Sequence, residues 1–128
     1  MQIEDVYAAI GADPIVRLVA AFYAQVPGDD ILGPMYPQQE MKEAEHRLRG
    51  FLVFRFGGPQ DYLSERGHPR LRMRHAPFAI DDRARDRWVQ LMQRAMDESA
   101  FPAEAREPVF QFLSDVATSM MNRPTMPQ

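Results

Sequence analysis

The chain has 128 residues, a formal net charge of −3 and no cysteine, and 45% of its residues are hydrophobic. This length and composition are typical of one globular domain, so we expect residues 1–128 to form a single domain. The acidic balance argues against a general nucleic-acid binder, and the lack of cysteine excludes disulfides, thiolate metal ligands and cysteine nucleophiles.

The N-terminal stretch MQIEDVYAAIGADP has acidic residues where a signal peptide would need basic ones. No stretch of the sequence reaches the about 18 uninterrupted apolar residues that a membrane span needs. We therefore expect a cytoplasmic protein with no membrane partner.

Five segments have the pattern of a helix and none has that of a strand, which predicts an all-α fold. After a first short helix, the clearest one begins with Asp13 as N-cap and Pro14 as first helical residue, and ends at Pro27-Gly28. Its apolar residues recur every three or four positions: Ile15, Leu18, Val19, Phe22, Tyr23 and Val26. The proline-rich stretch ILGPMYPQQ that follows has room for no more than a turn of helix.

The next helix is predicted from about Gln39 to Phe56, where Gly57-Gly58-Pro59 stops it. One face of this helix carries Ala44, Leu48, Phe51, Leu52 and Arg55. His46 lies on the opposite side, so we expect it to face solvent.

Two more helices complete the prediction. Asp81 is the expected N-cap of a helix that reaches about Asp97, with Trp88 and Met92 among its inward residues. After a break at Phe101-Pro102, the last helix ends near Met120, and residues 123–128 are predicted to be a frayed tail.

The stretch between the third and fourth of these helices lacks apolar periodicity. Within it, RGHPRLRMRHAPF (66–78) holds four arginines and two of the three histidines. Loops of more than about 12–15 residues are uncommon in compact domains unless they are functional. A local arginine cluster on an acidic chain fits a small anionic ligand better than a nucleic acid.

His75 is the sharpest candidate for a metal ligand, because histidine commonly binds transition metals and haem iron. A structural histidine beside a proline turn is the alternative on residue type alone. Tyr23, Tyr36 and Trp88 carry donors that would form a polar site in an apolar cavity if they converged, although sequence spacing cannot show that they do. No zinc, di-iron, phosphate-loop, dinucleotide or nucleophile-elbow pattern is present.

The chain resembles the truncated haemoglobins of group II along its whole length. The resembling pieces are FYAQV (22–26), MYP (35–37), AEHRLRGFL (44–52), GGP (57–59), RGHPRLRMRHAPF (66–78) and Trp88. The resemblance implies a two-over-two α-helical sandwich around haem b, with His75 as the proximal iron ligand. One departure is Gly11-Ala12, where family members often have Gly-Gly, but Gly11 can still supply a positive φ.

The resemblance also implies a role for each matching position. The expected partners of the haem propionates are Arg47, Tyr62 and Arg74. The expected distal residues around the bound ligand are Tyr23, Tyr36 and Trp88, with Ala44 where many globins carry histidine or glutamine and Leu48 on the same face. The expected apolar walls are Phe22, Phe51, Leu52, Leu71, Phe78, Ile80 and Met92. His68 is a candidate for shaping its segment, and Arg66, Arg70 and Arg72 stay open between cofactor contacts and surface charges.

The function implied by the resemblance is reversible binding of O₂, CO or NO at a five-coordinate iron. Oxygen transport or storage and the detoxification of nitric oxide or peroxide are not separable from sequence, so enzymatic activity stays open. An unidentified reductase and a homodimer are further partners to consider. The alternative is a haem-free helical binding module whose arginine-rich segment 66–74 holds an acidic partner.

Overall fold

The structure, a computed structural model, describes residues 1–59 and 80–122. Every regular element in these two ranges is helical, in agreement with the predicted all-α fold. The α-helices are α1 (Val6–Ile10), α2 (Asp13–Gln25), α3 (Met41–Arg55), α4 (Asp82–Glu98) and α5 (Ala103–Ser119). Short 3-10 turns lie at Ile3–Asp5, Val26–Gly28, Gly33–Met35 and Gln38–Glu40. The predicted tail at 123–128 lies outside the described residues.

The α-helices are arranged as two pairs. Helix α2 packs against α3, α4 packs against α5, and contacts between α2 and α4 join the two pairs. Helix α1 and the turn before it contact α5. This is the two-over-two arrangement expected from the resemblance, and the apolar faces of all four long helices meet in one core.

The predicted helix boundaries hold to within a few residues, with one error in capping. The Asp81 carboxylate accepts a hydrogen bond from the Ala84 N–H at 3.0 Å, so the predicted N-cap of α4 is confirmed. The predicted N-cap at Asp13 is wrong, because Ala12 already has a helical backbone (φ −79°, ψ −36°) and itself occupies the N-cap position. Gly11 supplies the positive φ (+76°) that turns the chain between α1 and α2.

The C-terminal end of α3 is held by the N-terminal turn and by α1. The Tyr7 N–H donates to the Phe56 carbonyl at 2.8 Å. Gly57 has a φ of +91°, and a Cβ there would lie 2.0 Å from the Glu4 carbonyl oxygen. At Gly58 a Cβ would lie 2.7 Å from the Tyr7 ring. Both glycines are therefore needed for the N-terminal turn to approach the end of α3.

A pair of hydrogen bonds joins the start of the second described range to its end. The Ile80 N–H donates to the Asn122 side-chain oxygen at 2.8 Å, and the Asn122 N–H donates to the Ile80 carbonyl at 2.9 Å. This reciprocal pair fixes Ile80, which is buried, at the point where the chain enters the last two long helices.

In the part of the chain that the structure describes, no single helix is both long and apolar enough to cross a membrane. Only the bent pair Ile3–Ile10 and Asp13–Gly28 reaches that length and apolarity, and its two halves meet at 106°.

Candidate ligand-binding site

Three polar aromatic residues from separate segments of the chain converge, with Tyr23 in the core and Tyr36 and Trp88 packed against it. Tyr23 lies on α2, Tyr36 follows the 33–35 turn, and Trp88 lies on α4. The ring centroids of Tyr23 and Tyr36 are 5.7 Å apart, and Phe22 lies 5.4 Å from Trp88 and 5.1 Å from Tyr23. The structure thus brings together the set that we call the polar aromatic cluster (Tyr23, Tyr36 and Trp88).

Each donor on α2 and α4 in this cluster meets an oxygen of the protein. The Tyr23 hydroxyl donates to the backbone carbonyl of Ala44 on α3 at 3.3 Å. The indole N–H of Trp88 acts on the Tyr36 hydroxyl and lowers its pKa. The cluster therefore spans three parts of the fold, because α2 contacts α3 through Tyr23 and α4 contacts the loop after α2 through Trp88.

Burial keeps both tyrosine hydroxyls protonated. Burial raises the pKa of Tyr23 far above its usual range, and the neighbouring Tyr36 adds to the shift, while the charge of Arg47 acts in the opposite direction. Burial also raises the pKa of Tyr36 to about 12, although the hydrogen bond from Trp88 lowers it. Both groups are therefore neutral hydrogen-bond donors at physiological pH.

Apolar side chains surround this cluster. Five residues that the resemblance assigns to the walls are buried in the core: Phe22, Phe51, Leu52, Ile80 and Met92. Ala44 and Leu48 are half-buried on the face of α3 that packs against the same core. These residues provide the apolar surface that a large planar cofactor such as haem would need.

Arg47 lies on α3 at the edge of this region. Its side chain is 39% exposed, and its guanidinium lies 3.9 Å from the Glu43 carboxylate, which is beyond hydrogen-bond distance. The guanidinium can therefore turn to a carboxylate of a bound cofactor. An apolar wall, polar donors and a cation at the rim together fit haem.

Several predicted residues fall outside the described ranges. They are the proximal His75, the expected propionate partners Tyr62 and Arg74, the wall residues Leu71 and Phe78, and the open positions His68, Arg66, Arg70 and Arg72. His46 is exposed as predicted, and its Nδ1 lies 3.0 Å from the Arg49 guanidinium. Across residues 1–59 and 80–122, no group of three His, Cys, Asp or Glu side chains could hold a metal ion.

Sequence reasoning missed an ion pair beside the cluster. The Asp29 carboxylate accepts hydrogen bonds from the N–H groups of Ile31 (3.1 Å) and Leu32 (2.8 Å) and pairs with Arg87 of α4 at 2.5 Å. Arg87 also reaches Asp30 at 3.0 Å. An aspartate just after a helix-ending glycine is a typical turn residue and could have been found, but no sequence signal singles out Arg87.

A second missed contact ties α2 to α4. The Gln25 side-chain NH₂ donates to the Leu91 carbonyl at 2.9 Å and to the Ala21 carbonyl at 3.1 Å. A glutamine at the end of an amphipathic helix is normally expected at the surface, so the sequence pattern did not predict its contact with α4.

The chain matches a family model and several known proteins. The model of the bacterial-like globins matches residues 5–122. The group 2 truncated hemoglobin YjbI of Bacillus subtilis is 38% identical over 117 residues, which are 91% of this chain and 88% of that protein. Two-on-two hemoglobin-3 of Arabidopsis thaliana is 31% identical over 97 residues, which are 74% of this chain and 55% of that protein.

Solved structures are similar as well. The group II truncated haemoglobin from Bacillus anthracis superposes with a TM-score of 0.89 at 36% identity, covering 95% of this chain and 94% of that one. The thermostable haemoglobin from Thermobifida fusca gives a TM-score of 0.87 at 42% identity, covering 98% of this chain and 100% of that one. These likenesses confirm the predicted truncated-globin fold.

The residues matched by the family model include both helix pairs and all three residues of the polar aromatic cluster. Globins bind diatomic gases through haem b, and the apolar walls and the rim cation described above fit that cofactor. The chain therefore belongs to the bacterial-like globins and is a group II truncated haemoglobin.

Proposed function

We propose that this globin binds O₂ and other diatomic ligands reversibly at a five-coordinate haem iron whose protein ligand is His75. The polar aromatic cluster lies on the ligand side and donates hydrogen bonds to the bound gas. The observation that carries this proposal is the convergence of Tyr23, Tyr36 and Trp88 from three segments into an apolar core. The alternative, a haem-free helical binding module, does not explain why these three residues converge.

Haem supplies the iron to which the gas binds, and the chain supplies the surroundings. The Tyr23 hydroxyl can donate a hydrogen bond either to the Ala44 carbonyl, as in this structure, or to a polar ligand. The methyl side chain of Ala44 cannot donate a hydrogen bond, so hydrogen bonding to the ligand falls to the cluster. A tyrosine hydroxyl is protonated at physiological pH, and burial raises the pKa of Tyr23 and Tyr36 further, so both donors are available across that range.

Trp88 and Tyr36 act as a connected pair. The Trp88 N–H now donates to the Tyr36 oxygen, which leaves the hydroxyl proton of Tyr36 to be directed elsewhere. A polar ligand can accept a hydrogen bond from this hydroxyl. Alternatively, Tyr36 can orient Tyr23, because the two rings pack edge to face. Polar gases such as O₂ gain more from such donors in a dry site than CO does.

Arg47, together with Tyr62 and Arg74, is proposed to bind the haem propionates. Arginine suits this role because its planar guanidinium can form two hydrogen bonds with one carboxylate. Arg47 is separated from Glu43 by 3.9 Å, so a propionate would compete with a weak surface pair only.

Oxygen storage, oxygen delivery and the detoxification of nitric oxide or peroxide can all use this site. Turnover in either detoxification reaction would require an external electron donor, such as a reductase. We propose ligand binding as the primary function and enzymatic detoxification as a secondary activity.

An absorption spectrum of the purified, haem-loaded protein tests the proposal. We expect an intense Soret band, which His75→Ala should shift and weaken as haem retention falls, whereas His46→Ala should change neither the band nor retention. His46 is a suitable control because it is an exposed histidine on α3. A His75→Ala protein with the wild-type spectrum and wild-type haem retention would disprove the assignment of the iron ligand.

A further inference from the structure

We propose that Asp29 and Arg87 are positioning residues for the polar aromatic cluster. Their ion pair holds the loop 29–36, which ends in Tyr36, against α4, which carries Trp88. This inference rests on the proposed function, because it is tested by the release of the gas ligand that Tyr36 and Trp88 are proposed to contact.

The first step is the order that Asp29 imposes on the loop. Its carboxylate, 7% exposed, accepts the N–H groups of Ile31 and Leu32, and its backbone carbonyl accepts the Gly33 N–H at 2.9 Å. Leu32 is buried in the core, and the 33–35 turn leads directly to Tyr36. One side chain thus organises the first half of the loop and sets where its second half begins.

The second step is the link from this side chain to α4. The Arg87 guanidinium lies 2.5 Å from Asp29 and 3.0 Å from Asp30. Arg87 immediately precedes Trp88, and successive residues on a helix point about 100° apart. The two neighbours therefore face different parts of one loop. Arg87 faces the beginning of the loop, and Trp88 faces the Tyr36 hydroxyl at its end.

These two contacts close a ring. The loop joins Asp29 to Tyr36, and the backbone of α4 joins Arg87 to Trp88. The ion pair connects the two segments at one end, and the interaction by which Trp88 lowers the pKa of Tyr36 connects them at the other. A small ring of this kind restricts how far the Tyr36 hydroxyl can move relative to the indole N–H. Breaking the ion pair opens the ring at the end that does not touch the ligand.

The packing of α4 against α2 does not depend on this pair. Gln25 at the end of α2 bonds to the Leu91 carbonyl one turn further along α4, and Arg94 lies 3.4 Å from the Gln25 side-chain oxygen. These contacts reach the helix and not the loop. Loss of the ion pair should consequently displace Tyr36 while leaving α2 and α4 in place.

The pair is charged under physiological conditions. Burial by itself would raise the pKa of Asp29, but hydrogen bonds from the Leu32 N–H, from Arg87 and from the Ile31 N–H hold it below its usual value. Its hydrogen bonds to Asp29 and Asp30 raise the pKa of Arg87.

The test uses haem-loaded ferrous protein and two readouts. Stopped-flow mixing gives the dissociation rates of O₂ and CO, and ultraviolet resonance Raman scattering reports the hydrogen bond of the indole N–H. Trp88 is the only tryptophan in the chain, so the Raman signal belongs to one residue. The variants are Arg87→Gln, Arg87→Lys, Asp29→Asn and the double variant Asp29→Asn/Arg87→Gln.

Arg106→Gln is the matched control. It breaks the ion pair of Arg106 with Asp97, in which the arginine is 36% exposed, near Arg87 at 29%. Arg106 belongs to α5 and Asp97 to the far end of α4, away from the cluster. The control therefore loses an arginine ion pair without touching the loop.

We expect Arg87→Gln and Asp29→Asn to accelerate O₂ release roughly threefold to tenfold, with a smaller change for CO and a weakened N–H hydrogen bond. Arg87→Lys should restore much of the wild-type behaviour because it keeps the charge. The double variant should be no worse than Arg87→Gln alone, since Arg87→Gln already removes the contacts with both Asp29 and Asp30. Arg106→Gln should match the wild type in both readouts.

Unchanged O₂ release and an unchanged indole signal in Asp29→Asn would overturn the inference. This variant keeps a side-chain oxygen for the Ile31 and Leu32 N–H groups, so it preserves the loop even if Arg87→Gln does not fold. If Trp88→Phe accelerates O₂ release under the same conditions, the proposed function stands and only the positioning role fails. If Trp88→Phe and Tyr23→Phe also leave O₂ release unchanged, the proposed donor role fails with it.

Discussion

The Tyr23 hydroxyl donates its hydrogen bond to a backbone carbonyl, and this acceptor has consequences for ligand binding. No substitution at position 44 can remove the carbonyl, so the acceptor persists whatever side chain stands there. The distance of 3.3 Å is longer than the usual range for an O–H···O bond, which is about 2.5–3.0 Å. A polar ligand therefore competes with a weak bond, and Tyr23 can turn to it at little free-energy cost.

We predict that Tyr23→Phe and Trp88→Phe each accelerate O₂ release by roughly 5–30-fold, because a lost donor is worth about 1–2 kcal/mol. CO release should change less, since bound CO carries less negative charge. Stopped-flow rates for both gases in both variants provide the measurement. Equal acceleration of O₂ and CO would mean that the two side chains act sterically.

Tyr36 gives a pH-dependent prediction for stability. Its pKa is raised from 10.0 to about 12, so the folded state holds the phenol proton more tightly than the unfolded state does. The resulting stabilisation is complete below pH 10 and is lost as the pH rises through about 12, and its size is roughly 2–3 kcal/mol. Urea unfolding followed by circular dichroism at pH 8 and at pH 12 measures this loss.

The matched variant is Tyr36→Phe, which has no proton to release at this position. Its unfolding free energy should fall less than that of the wild type between pH 8 and pH 12. The same fall in both proteins would assign the alkaline loss to other groups, among them Tyr23, whose pKa is also raised.

Among the helices, α3 depends on its C-terminal end for its position. This helix carries Ala44, Arg47 and Leu48, which are proposed to face the ligand or the cofactor. Helix α1 holds its C-terminal end through the Tyr7–Phe56 bond. The close approach of Glu4 to Gly57 leaves no room for a side chain. The position of the helix is thus set by backbone contacts at a distance from the ligand site.

We predict that Gly57→Ala destabilises the protein by roughly 2–4 kcal/mol, because alanine resists a φ of +91° and its Cβ would collide with the Glu4 carbonyl. Chemical denaturation of the variant measures the loss. Gly28→Ala is the control: a Cβ at Gly28 has no atom within 4 Å, and its φ is not positive, so the change should stay within about 1 kcal/mol. Equal losses in the two variants would contradict the argument.

At the level of elements, the sequence predicted most of what the structure has. The 3–4 spacing of apolar residues from Ile15 to Val26 predicts the buried face of α2, and the Gly-Gly-Pro sequence predicts the end of α3. Both predictions succeed because they depend on interactions within a few residues. The error at Asp13 has the same local origin. Asp-Pro is a frequent helix start, but the φ and ψ of Ala12 decide which residue is the cap, and they follow from the turn at Gly11.

For the whole molecule, contacts between distant segments set the limit of prediction. Asp29 and Arg87 are 58 residues apart and Tyr23 and Ala44 are 21 apart, so their pairing depends on how α2 packs against α3 and α4. Periodicity places a residue on a face but does not say which residue of another helix it meets. The convergence of Tyr23, Tyr36 and Trp88 was accordingly expected from family resemblance and not from spacing.

The reciprocal bonds between Ile80 and Asn122 also impose an order on the synthesis of the protein. Asn122 is added to the nascent chain 42 residues after Ile80, so the ribosome must complete both α4 and α5 before this contact can close. Until then, Ile80 lacks both of these hydrogen bonds. Stable haem capture is therefore expected only after α4 and α5 have both been synthesised.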